Sequence, residues 1–267
     1  MKLKKILGIL SCAILAAALV AGCSNDKKAE APKESAKKIV VGLDDNFRPM
    51  GFRDEKNEIV GFDVDMAKEA AKRLGYNVEF KSIDWSSKEA ELKSGRVDVL
   101  WNGLDITEKR KENMLFSDPY MENRQIIFVK KGTTDIMDEK TLAGKIVGTQ
   151  SGGTTEEYVD ANEDLKKSFK EFKKYSDYVA AFMDLENGRL DAIVGDEIVG
   201  RSYMSKNEGK IEAIDVAVGP ISNFGIGFAK NNQALRDEVQ KVLNDMKADG
   251  TSAKISKEWF GKDMILK

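Results

Sequence analysis

Histidine is missing from all 267 residues, and cysteine occurs only twice. The first absence excludes Ser-His-Asp triads, HExxH metalloproteases and most zinc or haem sites, because each needs an imidazole. A dominant charge is also missing: 43 basic residues stand against 45 acidic ones, a formal net charge of −2. Nucleic acid is therefore not expected as a partner, since such binding rests on neutralised phosphates. No apolar run reaches the roughly 20 residues that a membrane span needs. What is present is 42% hydrophobic content, enough for a core, and 33% charged residues to solvate its surface. At about 100–200 residues per domain, the length fits one large domain or two smaller ones. The composition is neither collagen-like nor disordered.

The N-terminus departs from that average. Met1-Lys-Leu-Lys-Lys5 is a short basic head, and Ile6 to Ala21 is an uncharged run of 16 residues. That pattern fits a secretory leader. It ends in Leu19-Val20-Ala21-Gly22-Cys23 before Ser24-Asn25-Asp26, which resembles the lipobox of bacterial lipoproteins. The resemblance implies a signal peptide over 1–22 and a lipid on Cys23, with Val20 where that family more often has Leu. An ordinary signal peptide with a chance cysteine is the alternative. Cys12 would leave with the leader, so no disulfide is expected in the mature chain. Lys2, Lys4 and Lys5 would leave too, making the remainder more acidic. Residues 23–37 lack apolar periodicity and are rich in Lys, Glu, Ala and Pro, the composition of a flexible tether.

From Ile39 onward, strands alternate with helices. Ile39 to Leu43, Val78 to Ile83 and Val97 to Leu100 read as strands, with Val64, Ala67, Ala71 and Leu74 at helical spacing between the first two. Asp63 is a plausible cap for that helix. The pattern repeats with strands at Lys145 to Thr149, around Phe172 and at Asp191 to Val194, and with helices from Thr154 and over Asp177 to Asn187. Such alternation implies right-handed crossovers and mostly parallel sheets in an α/β fold. An internal echo divides the chain in two. Glu91-Leu-Lys-Ser-Gly-Arg-Val-Asp-Val-Leu100 matches Asp184-Leu-Glu-Asn-Gly-Arg-Leu-Asp-Ala-Ile193 in chemical type at almost every position. In both, a helix stops at glycine and a buried strand follows. Each echo leads into polar residues, Asn102-Gly103-Leu-Asp105 in one and Gly195-Asp196 in the other. Ligands in such folds sit beyond the carboxyl ends of the strands, where these residues fall.

Val60-Gly-Phe-Asp-Val-Asp65, Asn102-Gly-Leu-Asp-Ile-Thr-Glu-Lys-Arg110, Phe116-Ser-Asp-Pro-Tyr120, Gly195-Asp196-Glu197 and Trp259-Phe-Gly261 follow one another in order. Together they resemble the bacterial extracellular solute-binding proteins of family 3. These serve polar amino acid ABC transporters and include the histidine-, lysine/arginine- and glutamine-binding group. The resemblance covers residues 38–267. It implies a type II periplasmic-binding-protein-like fold, with two parallel-rich sheets in two lobes joined by two hinge strands. Lobe one would be 38–126 plus 222–267 and lobe two 127–221, with Gln125–Val129 and Phe224–Phe228 as hinge strands. It further implies an amino acid ligand, a membrane permease as partner, attachment to the membrane through the lipid, a monomer, and no cofactor or metal.

The same resemblance distributes the ligand's groups. A zwitterion's carboxylate needs a bidentate donor, which Arg110 offers; Thr107 looks like the cap of that helix. Thr154, after Gln150-Ser-Gly-Gly153, opens a helix whose end favours an anion; the loop lacks the lysine of a phosphate-binding P-loop. Asp196 and the Gly103 carbonyl, beside Asn102, would take the ammonium group. Phe47 and Trp85 would flank the side chain, Asp44 would read its far end, and Gln150 would add a polar contact. Asp105 departs from the family, which usually has Ser or Thr there. An ionised Asp only accepts hydrogen bonds, so Asp44, Asp105 and Asp196 would outweigh Arg110. That balance disfavours acidic ligands and leans toward a basic amino acid or a polyamine-like cation, with polar neutral ligands such as glutamine or cystine next. Two other readings exist on the same fold: a cyclohexadienyl dehydratase-like enzyme, using cleft acids for acid chemistry, or an extracellular sensor domain.

Overall fold

In the computed structural model of the chain, residues 37–267 are described. The expected leader, Cys23 and nearly all of the expected tether lie outside them. No helix among the described residues is long and apolar enough to cross a membrane.

Two β-sheets form the centres of two lobes. The first runs Asn77–Ser82, Lys38–Leu43, Val99–Asp105, Ser222–Ala229, Met114–Phe116, with Met121–Asn123 also paired to Ser222–Ala229. The second runs Glu171–Tyr175, Ile146–Gln150, Ala192–Asp196, Gln125–Lys130, Ile211–Ala217. Position by position the two orders match. Three parallel strands come first, then a fourth antiparallel to the third, then a fifth antiparallel to the fourth. The parallel triplets need helical crossovers, as the alternating sequence predicts. The fourth strands run the other way because each enters from the other lobe. The chain leaves the first sheet after Asn123 and returns between Ala217 and Ser222. Gln125 and Ile126 already pair with Asp196 and Gly195 in the second sheet. The chain therefore passes from one sheet to the other at Arg124.

The sequence echo has a backbone cause. Gly95 and Gly188 both adopt φ +71°, a left-handed conformation that glycine takes without a Cβ penalty. Each amide closes the preceding helix, on Leu92 and Leu185 respectively. Three residues on, Asp98 and Asp191 clip the neighbouring strand. Their carboxylates accept from the Val40 and Ile146 amides, each at 2.7 Å. The same turn thus sets the third strand of each sheet in register.

Apolar alternation fills the cores. Val41, Val99, Phe224 and Phe228 are buried against Val239, Val242, Leu243 and Met246 of the Gln233–Ala248 helix, each worth about 1.5–3 kcal/mol when fully buried. Ile127, Val129, Val147 and Val194 do the same in the second lobe. Met66, Met114, Met121 and Met246 are core residues, whereas Met183 is exposed.

Asp63 is not the cap that the spacing suggests. The cap position of the Phe62–Leu74 helix is Gly61, without a side-chain bond. Asp63 lies inside the first turn and is buried, accepting from the Gly103 amide at 2.6 Å and the Tyr120 hydroxyl at 3.0 Å. Burial pushes its pKa up to about 7. Asp65 accepts from the Trp259 indole at 2.9 Å. The two acids therefore tie separate motifs of the first lobe together rather than starting a helix.

Candidate functional site

The third strands of the two sheets end at Asp105 and Asp196, and both side chains are buried. They share donors from the crossing segment. Asn123 Nδ2 donates to both oxygens of Asp105, at 3.1 and 3.2 Å, and to Asp196 Oδ1. Gln125 Nε2 donates to Asp196 Oδ1 at 2.9 Å and to Asp105 Oδ2 at 3.4 Å. Asp105 also accepts from Ser222 Oγ and, across the lobes, from Thr154 Oγ1, both at 2.6 Å. A carboxylate has about four acceptor sites, so Asp105 is fully engaged. Asp196 takes its amides on Oδ1. Burial first, then the neighbouring Asp105 charge, raises the pKa of Asp196. Burial likewise raises Asp105, against the opposing pull of Arg110.

Arg110 is buried one turn into the Glu108–Asn113 helix, whose cap Thr107 accepts from the Arg110 amide at 3.2 Å. Its guanidinium bridges the lobes. Nε donates to Glu157 at 2.7 Å, one terminal nitrogen to the Asp105 carbonyl at 3.0 Å, the other to the Gly152 carbonyl at 3.2 Å. Two of its five N–H donors remain for another acceptor. Lys88 reaches the same Gly152 carbonyl at 2.7 Å. Burial, then the nearby Arg110 charge, lowers its pKa to about 8. Gly152 itself is at φ +74°, and a Cβ there would stand 2.7 Å from Ser86 Cα in the first lobe. Only glycine allows the lobes this close.

The rest of the expected set also gathers here. Gln150 Nε2 donates across the lobes to Asp44 at 2.6 Å. Burial raises the Asp44 pKa to about 6, although Asn46 and Gln150 donate to it. Asn102 accepts from the Asp44 amide at 3.0 Å. Phe47 packs against Tyr178 of the second lobe, ring centres 6.2 Å apart. A Cβ on Gly103, at φ +54°, would stand 2.7 Å from the Phe47 ring, so the glycine lets that ring lie on the strand end. Trp85 is buried with the Lys88 ammonium over its ring at 5.4 Å. Asn102 Nδ2 and Tyr178 Oη have no hydrogen-bond partner among the described residues, and buried polar atoms seldom go unpaired without reason. Beside Tyr178 a groove of about 380 Å³ opens between the lobes, lined by Asp45, Asn46, Arg48 and Val179 among others. None of the expected site residues lines it.

Lys88, Asn123, Gln125, Glu157, Tyr178 and Ser222 were not singled out from sequence. One signal was available for two of them. Asn123-Arg-Gln125 is a polar step directly before an apolar strand at the lobe crossing, where polar side chains have no core to enter. Glu157 and Lys88 show no such signal, since their roles depend on partners in the other lobe.

The sequence matches the profile of bacterial extracellular solute-binding proteins, family 3, over residues 39–262. It is 32% identical to ABC transporter arginine-binding protein 1 of Escherichia coli (strain K12), covering 85% of this chain and 92% of that protein. It is 30% identical to the L-cystine-binding protein TcyA of Bacillus subtilis (strain 168), covering 98% of each. A solved ABC uptake transporter substrate-binding protein from Streptococcus pneumoniae, with bound histidine, superposes with a TM-score of 0.82 at 31% identity, covering 86% of this chain and 95% of that one. Each is a binding protein rather than an enzyme, which sets the dehydratase reading aside. The matching double-sheet frame, the buried polar cluster at its strand ends and these likenesses agree: the chain belongs to the bacterial extracellular solute-binding proteins, family 3, the amino-acid-binding proteins of ABC transporters.

Proposed function

We propose that the chain captures a basic amino acid between its lobes, 38–126 plus 222–267 on one side and 127–221 on the other. It then delivers the ligand to the membrane permease of an ABC transporter. In this reading the protein works as a monomer on the outer face of the cytoplasmic membrane, held by a lipid on Cys23. Asp196 receives the ammonium group on Oδ2, near the Gly103 carbonyl. The two remaining donors of Arg110 and the helix start at Thr154 face the carboxylate. Phe47 and Trp85 flank the side chain, and Asn102, Asp44 and Gln150 meet its far end.

The observation that carries the ligand class is the buried pair Asp105 and Asp196. They share two amide donors; burial raises the proton affinity of both, and the Asp105 charge raises that of Asp196 further. Two acids that near in a dry cleft favour any cation placed between them. The arginine-binding relative and the histidine-bound neighbour support a basic ligand. A polar neutral ligand such as cystine is the second reading, favoured by Gln150 and by likeness to the cystine-binding relative over nearly the whole chain.

A thermal-shift screen of residues 24–267 against all amino acids tests the proposal. At a hundred times its Kd, a true ligand adds about 2.7 kcal/mol of stability, and the shift vanishes in Arg110→Ala. A shift that survives Arg110→Ala removes the proposed carboxylate site, and no shift with any amino acid removes the ligand class.

A further inference from the structure

Lys88 is 3% exposed, and a lysine is almost never so buried without a counter-charge. Its ammonium donates to the carbonyls of Gly152 at 2.7 Å and Trp85 at 3.4 Å, and lies over the Trp85 ring. No carboxylate pairs with it among the described residues. The acids that face it are engaged elsewhere: Glu157 with Arg110 and Thr107, Glu156 with Lys174 and the Gly152 amide, and Glu89 with Asn113. Arg110, which also faces it, carries the same charge.

The enclosure is completed from the other lobe. Trp85 lies beside Lys88 in the first lobe, whereas Gly152, Glu156 and Glu157 belong to the second. Parting the lobes returns the ammonium to water, and closing them strips that water from a cation that gains only carbonyl dipoles. Burying a charge on those terms costs free energy. Neither acceptor depends on the ammonium. The Gly152 carbonyl keeps its Arg110 donor at 3.2 Å, and the Trp85 carbonyl keeps the Lys88 backbone amide. Charge at this position therefore works against the closed form. The lowered Lys88 pKa, about 8 against an ordinary 10.5, has burial as its main cause.

We propose that Lys88 is an affinity-limiting residue: its ammonium resists closure of the lobes, so that a captured amino acid is held loosely enough to be handed on. This rests on the capture of a basic amino acid read above, and adds what limits the grip. Closure that disfavours the ammonium releases part of a proton near pH 8, and a rise in pH above 8 favours the closed lobes.

The test is titration calorimetry of the mature chain with L-arginine, in two buffers of different ionisation enthalpy so that released protons are counted. Wild type is compared with Lys88→Met, which keeps the side-chain length and removes the charge. At pH 7 the variant is expected to bind about tenfold tighter or more, a change of about 1.4 kcal/mol, with slower dissociation in stopped-flow. At pH 8 the wild type is expected to release about half a proton more than the variant. Arginine affinity unchanged or weakened in Lys88→Met overturns the proposal, weakening being the mark of a latch. Equal proton counts overturn it as well, since repacking alone tightens binding without moving a proton. A wild type that releases no proton at pH 8 contradicts it even if the variant does not fold. If arginine does not bind the wild type, the basic-ligand reading itself falls, and this inference with it.

Discussion

Where the lobes meet, the first presents Arg110 and Lys88 together with the acids Asp44 and Asp105, whereas the second presents Glu157, Asp196 and the Gly152 carbonyl and no basic side chain among these groups. The frames behind them are alike down to the paired φ +71° glycines and the paired aspartate clips. Their cleft chemistry differs: both basic groups, Arg110 and Lys88, come from the first lobe, while acids come from both. A backbone requirement is met the same way twice, because a left-handed turn and a strand register have few solutions. A cleft for one unsymmetrical ligand has no use for two equal faces. Bonds run across in both directions, from Arg110 to Glu157 and Gly152 and from Gln150 and Thr154 to Asp44 and Asp105, which makes the lobes complementary to each other.

The largest effect that would break this complementarity is Arg110→Ala. It leaves Glu157 and the Asp105 side chain without their cation, and loss of one member of a buried pair costs about 3–5 kcal/mol. Urea denaturation measures it, and a loss below 1 kcal/mol would mean the pair contributes no more than a surface one. Gly152→Ala acts next, on closeness rather than charge. Its Cβ meets Ser86 Cα at 2.7 Å, so ligand affinity is expected to fall about tenfold or more, roughly 1.4 kcal/mol. Small-angle scattering should then show a wider molecule, and unaltered affinity would show that the lobes need not approach so far.

Gly95→Ala and Gly188→Ala sharpen the likeness of the frames. Nothing lies within 4 Å of either added Cβ, so each pays only the left-handed penalty of about 1–2 kcal/mol. Equal shifts in thermal midpoint are expected, and clearly unequal ones would show that the echo is not structural. Asp63, which has no counterpart in the echo, gives a pH signature. Its folded pKa of about 7 lies above the ordinary 3.8. The folded state therefore holds a proton that the unfolded chain releases, and the stability this gives is lost as pH rises from about 4 to 7. Asp63→Asn should remove that slope, at most about 1.4 kcal/mol per pH unit; parallel stability–pH curves for variant and wild type would contradict the burial argument. The smallest effects belong to the echoed surface pairs Arg96–Glu91 and Arg189–Asp184. Each arginine replaced by alanine should cost under about 1 kcal/mol in the same denaturation series.

The sheets and their repetition were legible because apolar periodicity and helix-ending glycines are local. Strands at Lys38–Leu43, Ile146–Gln150 and Ala192–Asp196 fall within a residue or two of the sequence reading. The crossing at Arg124 is not legible locally, because an apolar run from Ile126 does not say which sheet it joins. Asp63 was misread because an acid ahead of a helix looks the same whether it caps or is buried. Its partners, the Gly103 amide and the Tyr120 hydroxyl, are 40 and 57 residues away. Asp105 and Asp196 are legible as polar residues at strand ends, whereas Arg110, on a short helix, stands out only through the family resemblance. Glu157 is not legible, since its meaning depends on a guanidinium 47 residues earlier and in the other lobe.

The central claim is that an acidic cleft between unlike lobes selects a cation. Its most direct test is titration calorimetry of residues 24–267 at pH 7 with L-arginine and L-glutamate in parallel. The account predicts saturable binding of arginine and none of glutamate. Glutamate bound as tightly as arginine, or more tightly, would contradict it.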